Sequence, residues 1–464
     1  MQHDTDKTFG EIHGSHDNFM RNLEDTIDTA LSDSDDEMTL SLRFIEAGSR
    51  KGGAFIHNNA VEHRLTPLKE YEPGAYISVS YCWAHDRSMK NHKFPNYQIR
   101  DPSRLSRSIA CPPDVFHRTI RFAQYQRCPH IWIDQECIDQ RDPKDVERHL
   151  KIMHRVYKES KRTVAVLSTP IRDAYSLEAL LKVTRHHGPL RGRDLEMATI
   201  LSLNALLSIA EDRWFRRTWA FQEKYCAASL DLLIPIDPQV RIISYFSQYV
   251  LGDDFCLPMQ QVGKLLNRIL QEPFASALTD RWESNSGMSF EDAVTHLGIW
   301  FNNPGQTPED TVNMVWDEDR HLIHGTFAMM EKCNNLVVAD RISIFGNICD
   351  FPKKLLSNRI DDKRFSYSTS ILALLLVNFY PTPEQRAEAI AKIAWHIRDH
   401  TLASVLETEL FTDTSCILAS LDDHENGFST VLNAKSGRYL VFFLIGSIFT
   451  LQILTVVNVV LGLK

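Results

Sequence analysis

Forty residues, Pro129 to Ser168, constrain this chain more than any other stretch. A short apolar run, Ile131-Trp132-Ile133, meets the polar string Asp134-Gln135-Glu136-Cys137-Ile138-Asp139-Gln140. Asp142-Pro143-Lys144-Asp145 reads as a helix start, an acidic residue ahead of a proline whose fixed φ suits the first turn. Val146, Leu150, Met153 and Tyr157 recur at steps of four, three and four, which gives that helix one apolar face. Thr163-Val164-Ala165-Val166-Leu167 reads as a second buried strand. Strand, helix and strand in so short a length predict a parallel crossover.

A second strand leads into this unit. Tyr76-Ile77-Ser78-Val79-Ser80-Tyr81-Cys82-Trp83 alternates and is rich in aromatic and β-branched residues. Pro112-Pro113-Asp114 starts a helix carrying Val115, Ile120, Phe122 and Ala123, which returns to the Ile131 strand. Right-handed crossovers of this kind build an α/β layer with a parallel sheet. In open parallel sheets the ligand crevice lies beyond the carboxyl ends of the strands. Trp83 and His85-Asp86 end one strand, and Asp134 and Glu136 end the next. Two roles stand open for Asp134, a rim acid and a turn acid accepting backbone N–H bonds. The basic stretch Arg87 to Arg107 reads as a loop, either solvated or placed to hold an anion.

Charge and thiols narrow the function. A net charge of -9 over 464 residues argues against nonspecific nucleic-acid binding, which needs clustered Lys and Arg. Nine scattered cysteines without a CxxC pair fit free thiols in a reducing compartment and give no structural zinc pattern. Residues 1–70 read as an acidic leader and linker, partly disordered, with the run Ser32-Asp33-Ser34-Asp35-Asp36-Glu37 solvated. Within it Met38 to Ala47 reads as a first strand and the Gly-rich Ser49 to Asn59 as a loop, while Met1 to Phe19 is too polar for a secretory signal.

Beyond Ser168 the pattern turns helical. Leu177–Lys182 and Asp194–Asp212 read as helices, and Leu230 to Ile236 as a last strand, closing an α/β unit over residues 71–236. Between them, Phe215, Trp219, Gln222 and Glu223 fall on one side of an expected helix from Arg213. Residues 237–438 read as mainly helical, with helices at Val262–Leu270, His321–Lys332, Ser370–Phe379 and Pro383–Glu409. His396 and His400 have ligand spacing but lack the glutamate that metalloproteases place after the first histidine, so no metal is assigned. Tyr439 to Leu463 is uncharged for 25 residues, long enough for a C-terminal transmembrane helix, with a buried core helix as the alternative. The first reading places the body on the cytoplasmic face of a membrane, the second in the cytoplasm.

Three of these stretches together resemble the heterokaryon-incompatibility (HET) domain of filamentous fungi. Tyr76-Ile-Ser-Val-Ser-Tyr-Cys-Trp83 is similar to that family's Y-x-A-L-S-Y-x-W strand. Ile131-Trp-Ile-Asp-Gln-Glu-Cys-Ile-Asp-Gln140 is similar to L-W-I-D-x-x-C-I-N-Q, and Arg213-Trp-Phe-Arg-Arg-Thr-Trp-Ala-Phe-Gln-Glu223 to W-F-x-R-x-W-x-x-Q-E. Ala339-Asp-Arg-Ile-Ser-Ile-Phe-Gly346 resembles the later D-R-x-x-A-L-L-G element. Ala84 and Asp139 depart from the pattern, standing where Gly and Asn are usual.

The resemblance implies self/non-self recognition and programmed cell death on fusion of incompatible cells, through a protein partner or self-association. It also implies a TIR-like, Rossmann-like layer, some of whose relatives cleave NAD. Such an enzyme would need a carboxylate facing a cationic ribosyl transition state, with Glu136 and Glu223 as candidates. Tyr81, Trp83, Asp134, Gln140, Trp219 and Gln222 would form the ligand rim, with NAD as substrate and no other cofactor. A cysteine hydrolase using Cys137 has no recognisable histidine partner in the sequence.

Overall fold

The computed structural model describes residues 1–31, 42–47, 55–57, 60–67, 73–83, 94–101, 105–185, 193–240, 249–269, 278–279, 282, 288–301, 322–380, 382–406, 430–432 and 439–441. Its organising element is a mixed sheet. The strands, in chain order, are β1 (Arg43–Glu46), β2 (Phe55–His57), β3 (Ala60–Pro67), β4 (Tyr76–Tyr81), β5 (Asn96–Arg100), β6 (Ser106–Ser108), β7 (His130–Trp132), β8 (Arg162–Val166), β9 (Leu230–Pro235), β10 (Val250–Leu251) and β11 (Asp254–Pro258). They lie in the order β10-β11-β9-β8-β4-β7-β1-β3-β5-β6, with β2 added to β3.

The four central strands β9, β8, β4 and β7 are mutually parallel, and antiparallel partners flank them on both sides. The predicted parallel pairing of the Tyr76 and Ile131 segments is therefore present, in the register Ile77 with Ile131. All side chains of β4 are buried, as expected for a strand covered on both faces.

Two short helices open the chain, α1 (Phe9–His13) and α2 (His16–Ala30). The crossover elements follow: α3 (Pro113–Tyr125), α4 (Asp134–Cys137), α5 (Pro143–Lys158), α6 (Ala174–Arg185), α7 (Arg193–Ala210) and α8 (Thr218–Cys226). Helix α5 begins as its sequence dictates, with Asp142 accepting from the Lys144 N–H at 3.0 Å and Pro143 in the first turn. Its buried face is Asp145, His149, Ile152, Met153, Val156 and Tyr157, rotated from the predicted stripe so that Val146 and Leu150 lie only partly buried. Polar bonds fix it to the sheet. Tyr76 donates to the Val156 carbonyl at 2.5 Å, and Ser78 Oγ lies 3.0 Å from Ser160 Oγ and 2.8 Å from Thr163 Oγ1.

Several segments differ from expectation. Residues 1–31 are folded rather than a solvated leader. Phe19, Leu23, Ile27 and Ala30 of α2 are buried, and His13 bonds Thr369 at 2.8 Å on the Tyr367–Phe379 helix. The acidic run from Ser32 lies outside the described residues. Strands β2, β3, β5 and β6 occupy stretches read as linker or loop, because their charged residues are satisfied in place: Glu62 pairs with Arg100 and accepts from Ser106. Strands β10 and β11 extend the sheet into the region read as helical. The helix expected over Pro383–Glu409 ends at Ile397 and resumes at Leu402–Leu406.

The C-terminal reading is corrected. Among the described residues no helix is long and apolar enough to cross a membrane. The expected span begins instead as a strand, Tyr439–Val441, whose backbone pairs antiparallel with Thr430–Leu432. Its remainder, residues 442–464, lies outside the described residues. Membrane attachment through this segment, and with it a place on a membrane face, is unsupported.

The β10–β11 hairpin turns on Gly252 at φ +70°, the conformation a tight two-residue turn needs and side chains resist. A Cβ there would fall 0.7 Å from Nη2 of Arg121, the movable end of a long side chain, so the backbone term dominates. Gly252→Ala is expected to lower unfolding stability by about 1–2 kcal/mol in urea titration, with the m-value unchanged.

Candidate functional site

Strand β4 and the turn after β7 end side by side, and their terminal polar residues meet. Asp134, one residue past Ile133, opens the single turn of α4. Its Oδ1 accepts from the Tyr81 hydroxyl at 3.0 Å and from the Gln135 N–H at 2.7 Å. Oδ2 accepts from the Trp83 indole N–H at 2.6 Å, and the Asp134 carbonyl accepts from Gln140 Nε2 at 3.2 Å. Trp83 is held by this bond yet remains 47% exposed. The Tyr81 hydroxyl also lies 2.7 Å from Gln135 Oε1, and its single proton serves one acceptor at a time. Burial pushes the Asp134 carboxyl upward, while the donors from Trp83, Gln135 and Tyr81 and the nearby Arg217 pull the other way.

Glu136 sits beyond this knot and is buried. Its Oε2 takes Arg107 Nη1 at 2.5 Å, and its Oε1 takes the N–H groups of Ala110 and Cys111 at 2.5 and 2.9 Å. Both oxygens thus anchor the connection from β6 into α3.

Glu223 lies on the opposite face of β4. Side chains alternate along a strand, so Ser80 points away from Tyr81. The Ser80 hydroxyl donates to Glu223 Oε2 and accepts the Trp214 indole N–H at 2.5 Å. Burial pushes the Glu223 carboxyl up to about 7, and Ser80, Arg217 and Tyr157 offset part of that while Asp134 adds to it. Arg217 donates to the Tyr81 carbonyl at 2.6 Å, which ties the start of α8 to the end of β4. Asp212 fixes the turn beyond β8 by accepting from Ser168 N and Thr169 N, both at 2.7 Å.

Trp219 and Gln222 are placed elsewhere. Trp219 Nε1 donates to Asp340 Oδ2 at 3.2 Å, and Gln222 Oε1 accepts from Asn347 Nδ2 at 3.4 Å, both toward the helical region. The helix expected from Arg213 starts only at Thr218, so Phe215 lies in the preceding turn and shares no helical face with Glu223.

The structure brings Tyr81, Trp83, Asp134 and Gln140 into one cluster, sets Glu136 beside it and Glu223 behind it, and turns Trp219 and Gln222 outward. The sequence singled out neither Ser80 nor Arg217, placed Arg107 only at the end of a basic loop and gave Trp214 only a packing role. Arg217 is the arginine of the W-F-x-R-x-W block, and that fixed place between two tryptophans was the available signal. Among the described residues no group of three His, Cys, Asp or Glu side chains can hold a metal ion.

A parallel-centred α/β domain with a hydrogen-bonded rim of Trp, Asp, Glu and Arg at its strand ends is the class these features define. Residues 76–223 match the family model of heterokaryon incompatibility protein (HET). This stretch of the chain is a HET domain. Comparison with curated proteins and with solved structures gave no match.

Because burial raises the Glu223 carboxyl pKa to about 7 from 4.5, the folded state binds this proton more tightly than the unfolded chain. Its contribution is fully present below pH 4.5 and is lost as pH rises through 7. Measured by denaturant titration against Glu223→Gln at each pH, wild type is expected to lose about 3 kcal/mol of relative stability between pH 4.5 and 8. Parallel stability curves for the two proteins would contradict this.

Proposed function

We propose that the HET domain is a signalling module of self/non-self recognition, which triggers death of fused incompatible cells through self-association or a protein partner. The observation that carries this reading is the saturation of the rim. Asp134 and Glu136 spend their oxygens on donors of their own chain, and the half-exposed Trp83 is what the cluster presents outward. A rigid, bonded indole suits recognition, since tryptophan supplies contact area at low entropic cost.

A TIR-like, NAD-cleaving reading has one specific support. The parallel strands run β7-β4-β8-β9 in space, which in chain order is 2-1-3-4, the doubly wound arrangement whose crevice opens where connections diverge, between β4 and β8. Glu223, with its carboxyl near 7 and Arg217 close by, lies behind that point. Of the two glutamates it suits a ribosyl cation better than Glu136, whose oxygens hold Arg107 and two backbone N–H groups.

The two readings separate in one pair of measurements. The purified chain is incubated with NAD, and released nicotinamide is followed for wild type, Glu136→Gln and Glu223→Gln. Death is scored in cells expressing the same proteins and Trp83→Ala. The signalling reading expects nicotinamide at the blank level, death retained in Glu223→Gln and at least tenfold fewer dead cells with Trp83→Ala. Nicotinamide release that Glu223→Gln abolishes, with death lost alongside, would overturn it in favour of the enzyme.

A further inference from the structure

Two of the four sequence blocks meet where the HET domain abuts the helical region. The stretch Ala339 to Gly346 folds into a helix, Asp340–Ile348, that packs on α5 and α8. Asp340 at its start accepts from Trp219 Nε1, and Asn347 at its end donates to the Leu150 carbonyl on α5 at 2.8 Å and to Gln222 Oε1 on α8. At the start of α8, the Thr218 N–H donates to the Asn334 carbonyl at 3.2 Å and the Asn334 N–H to the Arg216 carbonyl at 2.6 Å.

Helix α8 is thus bonded to polar groups of the helical region through Trp219 and Gln222, and to the sheet through the Glu223–Ser80 bond. Gln222 Nε2 and Asn347 Oδ1 are buried without a partner among the described residues. A purely structural contact gains nothing from such atoms, since apolar side chains would pack there without losing hydration. Trp219 and Glu223 are four residues apart, so a shift at one end of this single turn moves the other.

We propose that Asp340 and Asn347 are positioning residues which hold α8 in the register that keeps the Glu223 carboxyl on the Ser80 hydroxyl, so that the helical region sets the state of the strand-end rim. This holds whether the rim signals or hydrolyses, since it rests on contacts alone.

The test uses the full chain and reads Glu223 itself, through the infrared carbonyl band of its protonated carboxyl, assigned as the band lost in Glu223→Gln. Asp340→Leu, Asn347→Ala and Trp219→Phe are each expected to shift the midpoint of that band by roughly one pH unit as the site rehydrates. Asp340→Asn, which keeps an acceptor for the indole, is expected to titrate like wild type. Trp219→Phe combined with Asp340→Leu should shift it no further than either alone. An unchanged midpoint in the variants that fold, a shift in Asp340→Asn as large as in Asp340→Leu, or additive shifts would overturn the proposal. Failure of all three single variants to fold would overturn it too, by making these residues supports of the whole chain rather than of α8.

Discussion

Parallel strands cannot be joined by hairpins, and that constraint arranges everything at the rim. Each of β4, β7, β8 and β9 must be followed by a crossover, so all four carboxyl ends reach the same edge of the sheet. The step from β4 to β7 runs one way along the sheet and the step from β7 to β8 runs back past β4. Right-handed crossovers in opposite directions put α3 and α5 on opposite faces. Strand β4 is bonded on both sides, and its last residues stand at the boundary where the chain departs both ways.

The alternation of β4 then divides the polar groups. Tyr81 goes with Asp134 and Gln135, and Ser80 goes with Trp214 and Glu223. The two carboxyls occupy different faces, yet the Asp134 charge adds to the proton affinity of Glu223, and Arg217 is the cation close to both. Its own hydrogen bond goes to the Tyr81 carbonyl rather than to either acid. One guanidinium offset against two desolvated carboxyls leaves the cluster short of positive charge, so the proton on Glu223 is the cheapest remaining compensation. The opposite arrangement appears where Arg118 Nε donates to Asp254 at 2.8 Å and its Nη1 and Nη2 donate to the Leu167 and Leu233 carbonyls.

What the sequence made legible was what local periodicity encodes. The alternation from Tyr76, the acidic cap and proline at Asp142-Pro143, and the apolar run at Thr163 each mark an element that formed. Strands β3, β5 and β6, outside the parallel centre, escaped because their signal is not local. Glu62 is tolerable in β3 only because Arg100 and Ser106, over thirty residues later, come to lie against it. Helix α2 escaped for a related reason: the four-residue spacing of Phe19, Leu23 and Ile27 is present, but its apolar partner is a helix more than three hundred residues away. At the site, Trp83 and Asp134 were readable as strand-end residues. Ser80 was not, since nothing in one strand's sequence says which face will receive an acid from α8.

The two glutamates show why residue type and motif position leave chemistry open. Glu136 and Glu223 both lie in blocks of the same family pattern, both are buried, and both accept hydrogen bonds from their own chain. They differ in what supplies the donors. A guanidinium and two backbone N–H groups are fixed by covalent geometry and a loop path, so Glu136 is committed to holding that loop, and removing Arg107 would strand a buried carboxylate. The Ser80 hydroxyl is a rotor on a rigid strand, and it serves Glu223 only while α8 sits at the right height. A carboxyl whose Ser80 donor depends on helix position reports that position in its protonation. Environment, through the mobility of the donor rather than the number of contacts, thus makes one acid a fastener and the other a gauge.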